Sequence, residues 1–414
     1  MRLELALDDL GAQGDGIAHL DGRAIFVAGG LAGERVVVEC DGDAPHATLL
    51  AITHPSASRA APACPHFLRC GGCRLQHLEP QAYLSWKIEQ LRQSLLREGL
   101  TDLPLLPPFV AAPATRRRAR LAAQREGNTV TLGFNAWRSH TLVDVTACAV
   151  LLPEIMAFLP ALREKLPLWL PSGMACDVQI TALAGGLDVV LVGGPALGLD
   201  ARMDLAMIAE SLDIAKLSWR KWDRSPIEPI AHRKPLSVRY GALDVPFPPA
   251  AFLQATAASE QALLAFAASA VGNSGKVLDL FCGLGGFGLS LPKARHVRCA
   301  DLDGPAIQAL ERAIKGHPRY AAQQRNLIGD PFAAAECDAF DAVIFDPPRG
   351  GAKAQAAQLA QSRVPHIVAV SCDPPSFARD AKILLQGGYR LRALLPVDQF
   401  LWSTHMELAV HFAR

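Results

Sequence analysis

The sequence lacks any large excess of charge of one sign. Its 414 residues include 41 lysines and arginines and 40 aspartates and glutamates, so the formal net charge at pH 7 is only +1. A protein that binds nucleic acid through a uniformly basic surface carries a much larger positive excess. Any contact with nucleic acid is therefore expected from local basic patches.

Membrane and export signals are missing as well. No uninterrupted apolar run is long enough to span a bilayer. The first residues, MRLELALDDLG, are acidic where a signal peptide is basic. These absences predict a cytoplasmic protein without membrane contacts, in which structural disulfides are disfavoured. Hydrophobic residues make up 50% of the chain, and its length predicts about three globular domains.

Cysteine, by contrast, is plentiful, with 10 in the chain. Three of them lie close together, at Cys64, Cys70 and Cys73. In a reducing compartment such clustering indicates a metal centre, which needs a fourth thiolate. Outside the C-terminal half the candidates for it are Cys40, Cys148 and Cys176. Spacing alone does not choose among them, nor between zinc and an iron–sulfur cluster. Free buried cysteines are the plainer alternative.

A glycine-rich turn after an apolar strand organises the C-terminal half. The run at residues 277–281 is typical of a buried parallel strand, and glycines at 283, 285, 286 and 288 then interrupt it. Such a turn lets a ligand approach bare backbone, with the N–H groups of the following helix facing it. The same glycines match the dinucleotide pattern G-x-G-x-x-G.

Two aspartates near this turn favour a nucleotide-like ligand. Asp301 ends the next strand, where its carboxylate can accept hydrogen bonds from ribose hydroxyls. Both NAD and S-adenosylmethionine sites use that arrangement. The alternative is an ordinary helix-capping aspartate on an α/β unit without a nucleotide. Asp279 argues against it, because a carboxylate inside an apolar strand is costly unless it is hydrogen-bonded or faces a polar ligand.

Further apolar strands end in chemically useful side chains. Residues 341–345 lead into Asp346, and the two prolines that follow stiffen the loop so that its carboxylate points into the site. Residues 367–371 repeat this design with the thiol of Cys372. Alternation near the C-terminus predicts His405 and Glu407 on one strand face. A buried structural cysteine and an exposed edge strand are the alternatives.

Two local basic patches are candidates for nucleic-acid contacts. The densest is the arginine run Arg116, Arg117 and Arg118, since arginine binds phosphate bidentately. A solvated strand face is an equally good interpretation of that run. In the second patch, Trp219–Trp222, two basic residues lie between two tryptophans, an arrangement that suits base stacking, although a solvated surface is favoured there.

The N-terminal segment alternates short β-rich runs with turn signals, which predicts a small antiparallel barrel over residues 1–58. The stretch GDGIAHLDGRAIFVAGGLAGERVVVE resembles the TRAM domain, an OB-like barrel attached to several RNA-modifying enzymes. The resemblance implies RNA binding. A barrel with no RNA role is the alternative, because barrels of this type host many functions.

The cysteine motif carries a sharper resemblance. C-x5-C-G-G-C followed by Gln-His resembles the [4Fe-4S]-binding signature of the RNA uracil-5-methyltransferases, the family that acts on 23S ribosomal RNA and transfer RNA. Residues 133–148 resemble the stretch that carries the fourth ligand in the iron–sulfur members. The resemblance thus implies the cluster ligands Cys64, Cys70, Cys73 and Cys148.

Motifs of the C-terminal half resemble the catalytic domain of the same family. Residues 252–256 resemble F-x-Q-x-N, except that Thr256 replaces the Asn, and residues 279–287 resemble D-L-x-C-G-x-G-x-F. Gly286 stands where the 23S members often have Asn. The resemblance implies contacts with S-adenosylmethionine and the substrate by Gln254, Phe281, Gly283, Gly286, Asp301, Asn326 and Asp346.

The family's chemistry is implied along with its motifs. Carbon 5 of uracil is too weak a nucleophile to take a methyl group unaided, so Cys372 is expected to add to carbon 6 first. Glu407 then removes the proton on carbon 5. Asp346 and Gln254 are expected to hold the uracil edge after the base has left its stack.

The architecture that these observations and the family resemblance imply is α/β. It comprises a TRAM or OB-like barrel over 1–58, a central α+β domain with the cluster and an RNA-binding surface over 59–240, and a class I S-adenosylmethionine-dependent methyltransferase domain, with a doubly wound seven-stranded sheet, over 241–414. The expected partner is RNA, with no DNA and no membrane, bound by a monomer. A TRAM domain together with a cluster favours 23S ribosomal RNA over transfer RNA.

Two rival functions are weaker. An NAD-dependent oxidoreductase would use the glycine turn but leaves Cys372 and the barrel without a role. A non-catalytic RNA-binding iron–sulfur protein needs the barrel and the cluster but no thiol at a strand end.

Overall fold

The computed structural model describes residues 1–41 and 44–414. The chain separates into two compact units. Unit 1 comprises residues 1–92, 132–149 and 400–404, and unit 2 comprises residues 93–131, 150–399 and 405–414. A search of the described residues finds no helix that is long and apolar enough to cross a membrane.

The elements are given in chain order. The first strands are β1 (Arg2–Ala6), β2 (Asp9–Leu10), β3 (Asp15–Leu20), β4 (Arg23–Ala28), β5 (Arg35–Cys40) and β6 (His46–His54). The next are β7 (Phe109–Val110), β8 (Arg118–Glu126), β9 (Thr129–Asn135), β10 (Leu142–Asp144), β11 (Ala175–Leu183), β12 (Gly186–Gly193), β13 (Lys216–Arg220), β14 (Glu228–His232), β15 (Ser237–Tyr240) and β16 (Leu243–Pro246). The last are β17 (Lys276–Leu280), β18 (His296–Asp301), β19 (Tyr320–Gln324), β20 (Ala342–Phe345), β21 (His366–Ser371), β22 (Arg390–Asp398) and β23 (Glu407–Ala413). The helices are α1 (Pro80–Arg97), α2 (Pro153–Lys165), α3 (Leu199–Ser211), α4 (Ala257–Val271), α5 (Gly286–Leu289), α6 (Gly304–Ile314), α7 (Ala334–Cys337), α8 (Lys353–Gln361) and α9 (Pro374–Gln386).

The N-terminal β-rich segment folds as one six-stranded sheet in the order β1-β5-β6-β4-β3-β2. Alternate residues of its strands fill one core, in which Val27, Val36 and Val38 are fully buried. The sheet was predicted to be antiparallel, but β4 and β6 pair in parallel. Apolar alternation fixes which face of a strand is buried and leaves the choice of neighbouring strand open, so the sequence pattern missed this pair.

Unit 2 contains most of the strands of two larger sheets. In the first of these sheets, strands β8, β11, β12, β13 and β14 lie side by side in that order. Only β12 and β13 pair in parallel among them. The strands β15 and β16 form a separate antiparallel hairpin.

The C-terminal sheet has the order β19-β18-β17-β20-β21-β23-β22-β7. Its first five strands are parallel, and β23 runs antiparallel to both β21 and β22. The seven predicted strands are thus present, with an eighth that the sequence did not indicate. Strand β7 pairs with the outer edge of β22 through only two residues, Phe109 and Val110, and so short a strand has no periodic signal.

Burial explains why these strands appear as continuous apolar runs. In β17, β20 and β21 the interior residues are covered on both faces, and Val277, Leu278 and Val343 are fully buried. Strand β17 lies between β18 and β20, so the strand order reverses at β17. Open α/β sheets bind their ligands at such a switch point, outside the carboxyl ends of the strands.

Candidate active site

The candidate active site lies at the carboxyl ends of β17, β18, β20 and β21. These strands are parallel, so their ends meet at one edge of the sheet. The glycine turn follows β17, and Asp301 is the last residue of β18. Asp346 follows β20, and Cys372 follows β21. The fold therefore gathers four predicted features that lie far apart in the sequence.

The turn after β17 has an unusual backbone. Phe281 has a φ of +56°, and Gly283 has a φ of +52°. Positive φ at a non-glycine residue is strained, and such residues cluster at functional sites. A side-chain carbon added to Gly283 would meet no atom within 4 Å, so this face of the turn is open to a ligand.

Asp301 is tied to that turn. Its Oδ2 accepts a hydrogen bond from the Gly283 N–H (2.8 Å), and its Oδ1 accepts one from the Asp303 N–H (2.8 Å). The side chain is half-buried. Each carboxylate oxygen keeps a second lone pair, so Asp301 can still accept from ribose hydroxyls while holding the turn in place.

Asp279 is buried beside the turn with one oxygen unpaired. Its Oδ2 accepts a hydrogen bond from the Gly288 N–H (2.8 Å), whereas its Oδ1 has no partner among the described residues. Burial, together with the carboxylates of Asp346 and Asp301, raises its pKa to about 7. A buried oxygen without a partner indicates a missing donor or cation. Together with the open turn and Asp301, it fits S-adenosylmethionine, which carries an adenosine and positive charge.

Two other residues of the predicted cofactor set, Gly286 and Asn326, lie in a helix and in a loop that follow strands of the C-terminal sheet. Gly286 begins α5 and faces the ring of Tyr240, to which an added side-chain carbon would approach within 3.2 Å. An asparagine there would need Tyr240 to move. Asn326 lies in an exposed loop after β19, where its Oδ1 accepts from the Gly329 N–H (3.3 Å). Thr256, which stands in place of the family's Asn, caps α4 by accepting from the Ser259 N–H (3.1 Å).

A hydrogen-bonded line of side chains crosses the site. The Gln254 Nε2 donates to Asp346 Oδ2 (3.0 Å). The Gln399 Nε2 donates to Gln254 Oε1 (2.7 Å) and to Glu407 Oε2 (2.7 Å). Asp346, Gln254, Gln399 and Glu407 thus form one continuous chain. We refer to these four residues as the amide–carboxyl line.

Sequence reasoning missed Gln399. It follows β22 directly and is only 3% exposed. No spacing or motif singled it out. The usable signal was its position, since a polar residue immediately after an apolar strand was the feature that identified Asp346 and Cys372. His405, predicted to share a strand face with Glu407, instead precedes β23 and is exposed, so that part of the prediction is wrong.

Electrostatics in the site favour protonated groups. Burial raises the pKa of both Asp346 and Glu407, and the Asp346 carboxylate raises that of Glu407 further. Burial also raises the pKa of the Cys372 thiol to about 11, with Glu407 and Asp346 adding to the shift. At neutral pH the thiol is therefore protonated, and the two carboxyl groups retain protons that isolated carboxylates would lose. A proton acceptor close to Cys372 is needed before its sulfur can act as a nucleophile.

The arginine run was predicted to grip phosphate, and this is wrong for Arg117. Its side chain is buried, with Nε donating to the Gln254 carbonyl oxygen (3.1 Å) and the guanidinium 3.0 Å from Glu260. Arg118 donates to the Leu253 carbonyl oxygen. Both arginines hold the backbone segment that carries Gln254. A basic run has the same sequence pattern whether it faces solvent or a buried carboxylate.

Arg117→Met is expected to lower stability strongly, because it leaves Glu260 as a buried carboxylate without its cation, held only by the hydrogen bond from the Tyr240 hydroxyl (3.1 Å). Breaking such a pair costs about 3–5 kcal/mol. Arg120→Met is the matched control, since Arg120 is exposed and pairs with Asp177 and Asp223 at the surface, where the loss is about 1 kcal/mol or less. Chemical denaturation of both variants measures the difference. Equal midpoints for the two variants would contradict the structural role of Arg117.

The second basic patch is divided. Trp219 is buried and its Nε1 donates to the Gly193 carbonyl oxygen (2.8 Å). Trp222 is 56% exposed, and the Lys221 ammonium lies 5.0 Å from the centre of its ring. Of the two tryptophans, Trp222 alone can therefore offer a ring face to a partner. This arrangement is closer to the solvated surface that the sequence favoured than to a base-stacking site.

The four predicted cluster cysteines lie in unit 1 and approach one another. The Cys64 thiol donates to the carbonyl oxygen of Ala147 (3.9 Å), the residue before Cys148. Burial raises the pKa of Cys73 to about 12, with Cys148, Cys70 and Cys64 adding to the shift. The alternative ligand Cys40 instead packs in the core of the N-terminal sheet. Four converging thiols suit an iron–sulfur cluster, although no set of three or more His, Cys, Asp or Glu side chains in the described residues forms a metal-ion site.

Comparisons with known proteins find similar methyltransferases. Residues 334–414 match the family model described as tRNA (uracil-5-)-methyltransferase, and residues 252–366 match the methyltransferase small domain. An uncharacterized RNA methyltransferase of Caulobacter vibrioides is 40% identical over 423 residues, which cover 99% of this chain and 100% of that protein. The 23S rRNA (uracil(1939)-C(5))-methyltransferase RlmD of Vibrio vulnificus is 31% identical over 427 residues, which cover 99% of this chain and 96% of that protein.

A solved structure resembles the whole chain. It is the Pyrococcus abyssi tRNA (uracil-54, C5)-methyltransferase in complex with S-adenosyl-L-homocysteine, with a TM-score of 0.75, 21% identity and 99% coverage of both chains. This likeness confirms the class I methyltransferase fold that the sequence predicted.

Proposed function

The chain belongs to the RNA uracil-5-methyltransferase family, and from this we propose that it methylates carbon 5 of one uridine in 23S ribosomal RNA through a covalent adduct with Cys372. The observation that carries the proposal is the amide–carboxyl line, which ends at Glu407 and lies beside the strand end that carries Cys372. A thiol, a buried base and a base-holding amide are the three parts that this chemistry needs.

In the first step the Cys372 sulfur adds to carbon 6 of the uracil ring. The electrons of the ring double bond move toward the oxygen on carbon 4, and the thiol proton passes to a neighbouring carboxylate. Asp346 in its ionised form is suited to receive it, because it raises the pKa of the thiol and therefore lies within electrostatic reach. Glu407 stays free to act as the base in the later step. The Gln254 amide stabilises the charge that develops on the oxygen.

Phe281, Gly283, Asp301 and Asp279 are the residues that we expect to hold S-adenosylmethionine, with Asn326 and Gly286 at its margin. When bound, this cofactor supplies an electrophilic methyl group. Glu407 then takes the proton from carbon 5, the ring double bond re-forms, and the bond between Cys372 and carbon 6 breaks, with the sulfur taking the bonding electrons and regaining its proton from Asp346. Gln399 donates to one Glu407 oxygen (2.7 Å), which leaves the other for the proton.

Support for 23S ribosomal RNA comes from the Vibrio vulnificus relative, which is a 23S rRNA methyltransferase and matches along nearly the whole chain. We also infer that the N-terminal sheet acts as a TRAM-like RNA-binding domain and that residues 59–240 and 241–414 form the central and catalytic domains. Mapping 5-methyluridine in RNA from a strain that lacks the protein tests the substrate. One 23S site should lose its methyl group, whereas loss from transfer RNA favours the alternative substrate.

We further infer that Cys64, Cys70, Cys73 and Cys148 ligate a [4Fe-4S] cluster. Convergence of their thiols supports it. Besides burial, Cys148, Cys70 and Cys64 all raise the pKa of Cys73, which indicates that the four thiols lie near one another. Thiolates ligate both zinc and iron–sulfur clusters, and the resemblance of the cysteine motif to the [4Fe-4S] signature favours the cluster.

Anaerobically purified protein is therefore expected to contain about four iron and four sulfide per chain. Cys148→Ala should lose most of the iron, because one ligand is missing. Cys40→Ala is the matched control, since Cys40 is buried in the N-terminal sheet core and should leave the iron content unchanged. Iron and acid-labile sulfide analysis measures both. Stoichiometric zinc without iron in the wild-type protein rejects the cluster.

A further inference from the structure

Gln399 connects the proposed base-holding residue Gln254 with the proposed base Glu407. No motif used to assign the function includes Gln399. Its amide nitrogen donates both to Gln254 and to Glu407, at 2.7 Å in each case. The side chain is 3% exposed. A buried amide with this many partners has one orientation, so the direction in which it points affects every group that it contacts.

A backbone donor fixes that direction. The Ala255 N–H donates to Gln399 Oε1 (2.8 Å). A backbone N–H only donates, so the oxygen of Gln399 must face Ala255 and its NH2 group must face Gln254 and Glu407. The Gln254 atom that meets this NH2 group must then be its oxygen. The Gln254 NH2 group consequently faces Asp346, whose Oδ2 accepts from it (3.0 Å).

This orientation determines what Gln254 and Asp346 offer to a base. The Gln254 oxygen is engaged by Gln399, so its second N–H is the group left to meet the substrate. A donor beside an acceptor matches uracil, which has a carbonyl oxygen on carbon 4 and an N–H at position 3. Cytosine presents an amino group and an unprotonated nitrogen at those positions, and it would therefore set donor against donor and acceptor against acceptor.

We propose that Gln399 is a positioning residue that fixes the Gln254 amide in the orientation that accepts uridine and rejects cytidine. The inference rests on the proposed function, because it takes Gln254 and Asp346 as the residues that hold the target base. Without Gln399 the Gln254 oxygen loses its donor. Rotation that presents this oxygen to the amino group of cytosine is then opposed by the hydrogen bond to Asp346 (3.0 Å) and no longer by that from Gln399.

The test compares Gln399→Met with Gln355→Met. Gln355 is a matched control, because it is also fully buried and its Oε1 also accepts from a backbone N–H, that of Phe332 (2.8 Å). The substrates are two transcripts of 23S ribosomal RNA that differ only by uridine or cytidine at the methylated position. Single-turnover methyl transfer with each transcript gives the ratio of the two rates.

We expect Gln399→Met to lower the ratio of uridine to cytidine methylation by about tenfold or more, since a mismatch of hydrogen bonds is of that size. Gln355→Met should leave the ratio at the wild-type value. Gln399→Glu keeps the oxygen that faces Ala255 but removes the NH2 group, so the ratio of uridine to cytidine methylation should fall in this variant too. It replaces Gln399→Met in the test if Gln399→Met does not fold. A folded Gln399 variant with the wild-type ratio overturns the inference.

Failure of this inference differs from failure of the proposed function. If the wild-type protein methylates no uridine in either RNA class, the proposed function is wrong. If the wild-type protein is active and Gln399→Met and Gln355→Met alter the ratio equally, the proposed function stands and the specific role of Gln399 is rejected.

Discussion

Cys372→Ala is expected to abolish both methyl transfer and the covalent complex with RNA. Carbon 5 of uracil becomes nucleophilic only after the sulfur has added to carbon 6, and loss of a catalytic nucleophile lowers rates by a factor on the order of 10⁴ or more. Affinity for S-adenosylmethionine should be retained. The main residues expected to hold it lie within or directly after β17 and at the end of β18, whereas Cys372 follows β21.

Cys337→Ala is the matched control for this change. Cys337 lies in the same unit, is fully buried and belongs to α7, away from the strand ends. Transfer of a labelled methyl group and a denaturing gel of the protein with RNA separate the two variants. Cys337→Ala should form the shifted band and methylate RNA, while a shifted band or methylated RNA with Cys372→Ala would reject the nucleophile.

The residues of this site that could be predicted from the sequence are those that belong to local sequence patterns. Asp301, Asp346 and Cys372 each end an apolar strand, and parallel strands end at a common edge, so their convergence followed from strand periodicity and one topological rule. The glycine turn was visible for the same reason. None of these predictions depended on contacts between residues that lie far apart in the sequence.

What the sequence did not reveal depends on distant partners. Arg117 looked like a surface cation because its partner, Glu260, lies far along the chain. Gln399 has no local signature, since its role arises from the Ala255 N–H and from Gln254. The short strand β7 exists only because β22 offers it an open edge. Pairing of this kind is a property of the tertiary structure.

The carboxyl groups of the site form one electrostatic system. Asp346 raises the pKa of Asp279, of Glu407 and of Cys372, each of which is also raised by burial. Collecting acids in a crevice is unfavourable for folding unless they stay protonated or meet a cation. The positive charge of S-adenosylmethionine would relieve this repulsion. The acids that make the apo site costly are thus the ones that suit a cationic cofactor.

Glu407→Gln is expected to trap the enzyme on its methylated RNA. The glutamine keeps an oxygen that can accept from Gln399, so the amide–carboxyl line and the fold should survive. Addition of Cys372 and methylation do not need a base at carbon 5, but release does. The covalent complex should therefore accumulate to about one per enzyme, with turnover lowered by a factor on the order of 10² to 10⁴.

The pH dependence gives this prediction a second readout. Burial and the neighbouring Asp346 raise the pKa of Glu407 to about 8. Since the pKa is raised, the basic carboxylate form is scarce below that pH and dominates above it. Release of wild-type enzyme from methylated RNA should thus accelerate as the pH rises through about 8, and this acceleration should be absent in Glu407→Gln.

Glu336→Gln supplies the control for a lost glutamate, because Glu336 lies at the surface, paired with Arg325 (2.9 Å). It should turn over like the wild-type protein. A time course on a denaturing gel, with the methyl group labelled, shows whether the trapped RNA is already methylated. Methylated RNA in the Glu407→Gln band identifies the block as proton removal. An unmethylated band would instead mean that Glu407 acts before methyl transfer, as the acceptor of the Cys372 proton, and normal turnover would exclude it from both steps.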